Sequence, residues 1–326
     1  MCYREGDIVL RKLFALALLI VAQAHAQQPW PSRTITFLTP FPPGPGPDLY
    51  MRPLLNKVGE QLGQTIVHEV RIGGAGARAL QQAARSAPDG YVLTVVTNAH
   101  LIQRHLIPTI PDIVEMAHVS RISLTGAVLV VAADSPIRTF ENLVAAAKAA
   151  PGKLNYGSGG NGTPSHMQGA SLAFIAGIDA VHVPFKNSAD VVPALMRGDL
   201  HFSFQVMSFG APFVKSGKLR LLAVTSQERV AQFPDAPTLY ELTRNDLAVQ
   251  DNWSGLSFPA KTPAPIVRRF HAEVLKALAD PAVQRGIERS GTNARPNASP
   301  EEFAAYVRSE DDKWGRIVKL SGVRLE

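Results

Sequence analysis

Hydrophobic and polar positions along this chain switch repeatedly between two periods, and the switching predicts alternating strands and helices. Residues 34–39 (TITFLT) read as a strand that stops at the Pro/Gly cluster Pro40 to Pro47. A helix is predicted from Asp48 to Leu62, then a strand from Thr65 to Val70. A turn with Gly73, Gly74 and Gly76 leads to a helix ending near Ser86, and Pro88-Asp89-Gly90 turns the chain into a strand from Tyr91 to Val96. The stretch from there to about Met116 has no clear pattern. Val128 to Ala132 reads as a buried strand, followed by a helix from Thr139 to Ala149 ended by Pro151-Gly152.

Further on, the pattern predicts a strand carrying Lys153 and Asn155, a glycine-rich loop, and a helix to Ala176. Strand Val181 to Phe185, helix Ala189 to Arg197, strand Leu200 to Gln205, a short helix and strand Leu219 to Thr225 complete this part. The remainder reads as mostly helical. Ile266, Phe270, Val274 and Leu278 recur every four residues, and Phe303, Val307, Trp314 and Val318 share a second helix opened by the capping box Ser299-Pro300-Glu301-Glu302. Strand–helix alternation of this kind predicts an α/β protein with parallel strands.

The first residues change the picture. Arg4, Arg11 and Lys12 precede the ten apolar residues Leu13 to Ala22, and Ala24-His25-Ala26 is a small-x-small cleavage site. A run of ten apolar residues is too short to cross a bilayer and reads as a secretory signal, cleaved after about Ala26. The remaining 300 residues are long enough for two ordinary cores. The only cysteine, Cys2, lies within the signal, so the exported chain has no disulfide, thiolate metal site or cysteine nucleophile. The expectation is a periplasmic protein.

The formal charge is +6, of which the signal carries +1. No basic run with interleaved aromatics is present, which argues against nucleic acid, and a modest positive field suits small anions.

The loop "KLNYGSGGNGTPSH", Lys153 to His166, carries the most chemistry. Gly157-Ser158-Gly159-Gly160-Asn161-Gly162 matches the dinucleotide fingerprint G-x-G-x-x-G. That fingerprint needs an acid at the end of its second strand to hold ribose hydroxyls. Strand Val181 to Phe185 ends instead in Lys186, Asn187 and Ser188, so no nicotinamide or other cofactor is expected. Thr163 is a good N-cap, Pro164 suits the first helical position, and helix starts attract carboxylates and phosphates. Such a site and a plain glycine turn before a capped helix both fit this pattern.

A second strand-to-helix loop, "TPFPPGPGPDLY" from Thr39 to Tyr50, has the same placement. Ligands bind where strands end and helices begin in open α/β sheets.

Enzyme patterns are weak by comparison. Tyr156 stands where a nucleophile elbow needs glycine two positions before Ser158. Nothing in the spacing joins Ser158, Asp179 and His201 into a triad, or His100 and His105 into a metal site. No catalytic or metal residue is expected.

With these pieces in order, the chain resembles the periplasmic solute-binding proteins of tripartite tricarboxylate transporters, the Bug family. The resemblance rests on "WPSRTITFLTPFPPG" (30–44), "APDGYVL" (87–93), "PGKLNYGSGGNGTPSH" (151–166), "VHVPFK" (181–186), "SGKLRLLAVTS" (216–226), "PDAPTLYE" (234–241) and "SPEEFAAYVRSEDDKWGRIVKLSG" (299–322). It implies a two-lobed periplasmic binding protein, type II-like, with two α/β domains joined by two crossover strands. Residues 27–129 and 247–326 would form the first domain and 130–246 the second. It also implies a monomer and no enzyme activity.

By the same resemblance, a small organic carboxylate would be held by Phe41, Pro42, Pro43, Gly44 and Asp48, with Thr97 and Asn98 on another loop of the first lobe. From the second lobe would come Ser158, Gly160, Asn161, Thr163, Ser165 and His166, with Phe185, Lys186, Asn187, Ser188 and Gln205 around them. The partner would be a membrane transporter with one large and one small integral subunit, or a sensor histidine kinase.

Two departures stand out. The family usually has Gly-Gly-x-Thr-Asp where this chain has Gly44-Pro45-Gly46-Pro47-Asp48, which removes two backbone donors and stiffens the loop. It often has Asp-Asn where this chain has Gln205-Val206, which removes a partner for a ligand ammonium group. Together with Phe185 and Met207 this implies a carboxylate without an amino group, carrying an apolar or aromatic body.

Overall fold

The computed structural model describes residues 30–44, 47–186 and 188–324, apart from the side chain of Ala75. The expected signal segment, Pro45 and Asn187 therefore lie outside the described residues.

Two mixed sheets organise the chain. In sequence order the elements are β1 (Ile35–Thr39), α1 (Asp48–Leu62), β2 (Ile66–Val70), α2 (Ala77–Ala84), β3 (Val92–Thr97), α3 (Asn98–Leu106), β4 (Ala117–Thr125) and β5 (Ala127–Ala132). Next come α4 (Phe140–Ala149), β6 (Leu154–Ser158), α5 (Pro164–Ala176), β7 (Ala180–Pro184), α6 (Val191–Met196), β8 (Phe202–Val206), α7 (Met207–Lys215), β9 (Leu219–Val224) and α8 (Leu239–Thr243). The last are β10 (Asn252–Phe258), α9 (Ala264–Leu278), α10 (Pro281–Ser290), β11 (Asn293–Ala294) and α11 (Pro300–Ser321).

The first sheet has the order β11-β4-β10-β3-β1-β2 and the second β7-β6-β8-β5-β9. Neither is all-parallel as the alternation predicted. β10 runs antiparallel to both β3 and β4, and β5 runs antiparallel to both β8 and β9. A strand that enters a lobe by crossing from the other one has to run against the βα units already there.

Four elements escaped the periodicity: α3, β4, β10 and the two-residue β11. Strand β10 (NWSGLSF) is buried along nearly its whole length yet carries two serines. Their hydroxyls are satisfied inside the sheet. Ser254 bonds Ser123 at 2.7 Å and Tyr50 at 3.0 Å, and Ser257 bonds His118 Nδ1 at 2.9 Å. Paired hydroxyls can be buried at little cost, so polar residues fill a central strand that apolar patterning cannot find.

Each sheet is covered on both faces. In the first lobe α1, α9 and α10 pack over Phe37, Leu93, Val95 and Leu256, while Phe303, Val307, Trp314 and Ile317 of α11 close the other side. The predicted four-residue stripe on α11 is buried as expected. On α9 Phe270, Val274 and Leu278 are buried as expected, and only the first position differs, with Val267 rather than Ile266 inside. The second lobe buries Phe140, Leu143, Tyr156, Phe202 and Phe204 on one face and Val191, Leu195, Met207 and Val224 on the other. Helix α5 bridges the lobes: its Met167 sits in the first lobe's core beside Trp253, while its Leu172 belongs to the second.

The chain changes sheet at Gly126 and again at Gln250–Asp251. The expected boundary after residue 129 falls inside β5, which pairs in the second sheet from Ala127 onward. The second changeover lies a few residues beyond the expected boundary at 247. The two connections are tied together, since Thr225 Oγ1 accepts the Ala127 N–H at 2.8 Å and donates to the Gln250 carbonyl at 2.9 Å. Among the described residues no helix is long and apolar enough to cross a membrane.

Candidate functional site: the cleft edges of the two lobes

Strand direction decides which loops meet. β1 and β3 are parallel and end at Thr39 and Thr97. Ser254 of antiparallel β10 lies opposite Thr97, which puts Asn252 and its partner Thr125 at that same end, beside the crossovers. In the second lobe β6, β7 and β8 are parallel, and Val206 at the end of β8 faces Ala127 at the start of β5. The carboxyl ends of strands from both lobes therefore converge on the crossover edge, where α/β sheets bind ligands.

The second-lobe loop between β6 and α5 is built by its own side chains. Ser158, 1% exposed, accepts the Gly160 N–H at 3.1 Å and contacts the Gly160 carbonyl at 3.1 Å. Ser165 Oγ accepts the Gly159 N–H at 3.2 Å. Thr163 caps α5 by accepting the His166 N–H, and its hydroxyl donates to the Gly160 carbonyl at 2.7 Å. His166 Nδ1 accepts the Gly162 N–H at 3.1 Å. Gly160, at φ 122°, occupies backbone space that a side chain would strain. Gly159 packs so close to Ser188 that an added Cβ would lie 2.1 Å from its hydroxyl.

The glycine N–H groups of this loop are thus mostly used inside it. The Asn161 and Ser165 N–H groups have no hydrogen-bond partner among the described residues. Asn161 is exposed, Thr163 and Ser165 are half-buried, and Lys186 is exposed at the end of β7.

Sequence reasoning missed His182. It lies on β7, its Nε2 is 2.6 Å from Ser158 Oγ, and its ring stacks on His166 with centroids 3.7 Å apart and planes 10° from parallel. Burial pushes both imidazoles down to about 4, and His166 adds to the effect on His182. Both rings are neutral near pH 7. With its Nδ1 accepting from Gly162, neutral His166 carries its proton on Nε2. The proximity of Ser158 to a histidine arises across two strands, which no local spacing reports. His201 bonds Asn155 and not Ser158.

The first-lobe loop is different. The Phe41 N–H bonds Thr39 Oγ1 at 3.2 Å, and the Gly44 N–H bonds Asp48 Oδ2 at 3.0 Å. Asp48 is 7% exposed and takes two hydrogen bonds from Arg52, at 2.8 and 3.1 Å. Burial opposes its ionisation, but Arg52 and the Gly44 N–H together hold its carboxyl below the ordinary range. Pro42, Pro43 and Gly44 are exposed, and Phe41 is half-buried against the lobe's core.

The remaining expected contacts divide. Thr97 opens α3 with its N–H on His100 Nδ1 at 3.2 Å. Asn98 is 3% exposed and turns to the crossover, donating to the Asp251 carbonyl at 3.3 Å. Gln205 is 4% exposed and donates to Ser203 Oγ at 2.8 Å. Phe185 is half-buried and Ser188 exposed at the second-lobe rim, where Val206 and Phe209 are also exposed (39% and 36%). Asn98 and Gln205 thus bind within the protein frame, while the Phe41–Gly44 and Asn161–His166 loops, Phe185, Lys186 and Ser188 lie at the cleft edges. Among the described residues no group of three His, Cys, Asp or Glu side chains could hold a metal ion.

Two α/β lobes joined by two crossovers, with strand-to-helix loops converging between them, define a two-lobed periplasmic-type binding protein. Residues 50–323 match the model of the tripartite tricarboxylate transporter family receptor, and the chain belongs to that family, as do the Bug proteins. This is a family of solute-binding receptors, not of enzymes. A protein from the tcbD-tcbE intergenic region of Pseudomonas sp. (strain P51) is 31% identical, over 94% of this chain and 93% of its own. An R. palustris protein solved with adipate superposes with a TM-score of 0.77 at 25% identity, covering 91% of this chain and 99% of its own. MatC from Rhodopseudomonas palustris, with bound malate, gives 0.75 at 26%, covering 89% and 100%.

Proposed function

We propose that this protein captures a small organic carboxylate between its lobes in the periplasm. It then delivers the ligand to a tripartite tricarboxylate-type transporter with one large and one small integral subunit. The observation that carries this reading is the glycine loop at the start of α5, standing at the crossover edge with the Asn161 and Ser165 N–H groups unspent beside Lys186. The ligand contacts are Phe41, Pro42, Pro43 and Gly44 on one side and Asn161, Thr163, Ser165, His166, Phe185, Lys186 and Ser188 on the other. Capture by closure of two lobes needs no chemical step.

The ligand lacks an amino group. An ammonium needs a free acid, and the acid of the first loop, Asp48, is already spent on Arg52. Gln205 turns inward and Val206 is apolar at the rim of the other lobe. Thermal-shift screening of the exported chain against organic acids and amino acids tests the reading. A ligand at 100 times its Kd should stabilise by about 2.7 kcal/mol. Stabilisation by amino acids alone, with no response to plain carboxylates, would sink it.

A further inference from the structure

The geometry points to a polar orientation of the ligand: its carboxylate on the second lobe and an apolar body on the first, so that monocarboxylates are preferred to dicarboxylates. This rests on the carboxylate reading above and specifies the chemistry of both ends of the same site.

The β1–α1 loop of the first lobe has little left to offer a second carboxylate. Between Pro40 and Pro47 five of eight residues are proline (40, 42, 43, 45 and 47) and have no N–H. Of the three remaining amides, those of Phe41 and Gly44 are taken by Thr39 and Asp48. Beyond them, the start of α1 holds its own anion. Asp48 is 7% exposed, and an incoming carboxylate would meet that negative charge in the helix's first turn. Arg52 is bound to Asp48 through Nε and Nη2. On the neighbouring loop Arg71 is paired with Glu69 and Gln82, and Arg78 lies folded over Gly73 with Nη1 3.5 Å from the Ile72 carbonyl. What the β1–α1 loop presents is Phe41, Pro42 and Pro43.

The second lobe is the reverse. Its free Asn161 and Ser165 amides lie at the start of a thirteen-residue helix, and Lys186 adds a cation. A second observation is His166. It is 5% exposed, Gly162 fixes its proton on Nε2, and that N–H has no hydrogen-bond partner among the described residues. Desolvating a carboxylate is tolerated only where donors await it, so the β6–α5 loop can take the charge and the β1–α1 loop cannot. The half-buried Phe185 and the exposed Val206 and Phe209 continue the apolar lining on the rim.

Calorimetry of the exported chain with matched acids tests the orientation: hexanoate against adipate and benzoate against phthalate, each pair differing by one carboxylate. The monocarboxylate of at least one pair should bind tenfold or more tightly than its partner. Asp48→Asn removes the resident charge and frees Arg52, and it should narrow that ratio by raising dicarboxylate affinity. Adipate and phthalate binding as tightly as their partners would overturn the orientation while leaving carboxylate capture intact, and more so if Arg78→Ala abolished their binding. Silence towards all four acids and a wider carboxylate panel would overturn the proposed function itself.

Discussion

The β1–α1 loop of one lobe and the β6–α5 loop of the other occupy corresponding places, each leaving a parallel strand and opening a helix at the crossover edge. Their chemistry is opposed. The first is proline-rich, ties its two described amides to Thr39 and Asp48, and begins its helix at Pro47 without a side-chain cap. The second is glycine-rich, is shaped by Ser158, Ser165, Thr163 and two histidines, and retains free donors. Topology brings a loop to the ligand edge, and local sequence decides what that loop can hold.

The strongest way to break the comparison is to lock the second loop out of shape. Gly159→Val would drive a side chain into Ser188, and hexanoate affinity should fall at least a hundredfold by calorimetry, with the melting temperature recorded as a control. Gly44→Ala in the first loop meets no atom within 4 Å and should cost binding much less, mainly through strain at φ 121°.

Acid should also separate neutral loops from charged ones. His68, His100, His118, His166 and His182 are all pushed down to about 4, burial being the main cause. Between 6.5 and about 4 the unfolded chain binds more protons than the native one, so stability falls as the pH drops through that window. The summed loss is on the order of several kcal/mol, measurable by denaturant melts at pH 7 and pH 4.5. Asp251 opposes it: burial raises its carboxyl to about 6, so the native state holds the extra proton there. Melts independent of pH across the window would mean the rings are not buried neutral.

A smaller effect sharpens the loop's internal wiring. His182→Ala removes the Ser158 contact and the stack on His166, and should weaken hexanoate binding about tenfold with the fold retained by circular dichroism. Thr163→Ala loses a helix cap and should cost about 1 kcal/mol in a denaturant melt. The helix of the first loop has no capping side chain to lose.

Much of the local structure of these loops was legible in the residues. Thr163-Pro164 marks the start of α5, and the Lys186-Asn187-Ser188 sequence rules out the ribose acid that a dinucleotide needs. The prolines announce a donor-poor first loop. The internal use of the glycine amides was not legible, because Ser158, Ser165 and His166 could as well have pointed at solvent or ligand. His182 was invisible for the same reason, since it meets Ser158 only through the pairing of β6 with β7.

The sequence by itself determined the helices with apolar stripes, the caps, the turns and the donor content of each loop, because those depend on residues close along the chain. Tertiary structure alone decided that β10 is a central strand despite its serines, and that two crossovers align the strand ends of both lobes. It also decided which amides of the glycine loop remain free. Burial and hydrogen-bond satisfaction depend on partners far apart in sequence, and those partners exist only once the sheets have formed.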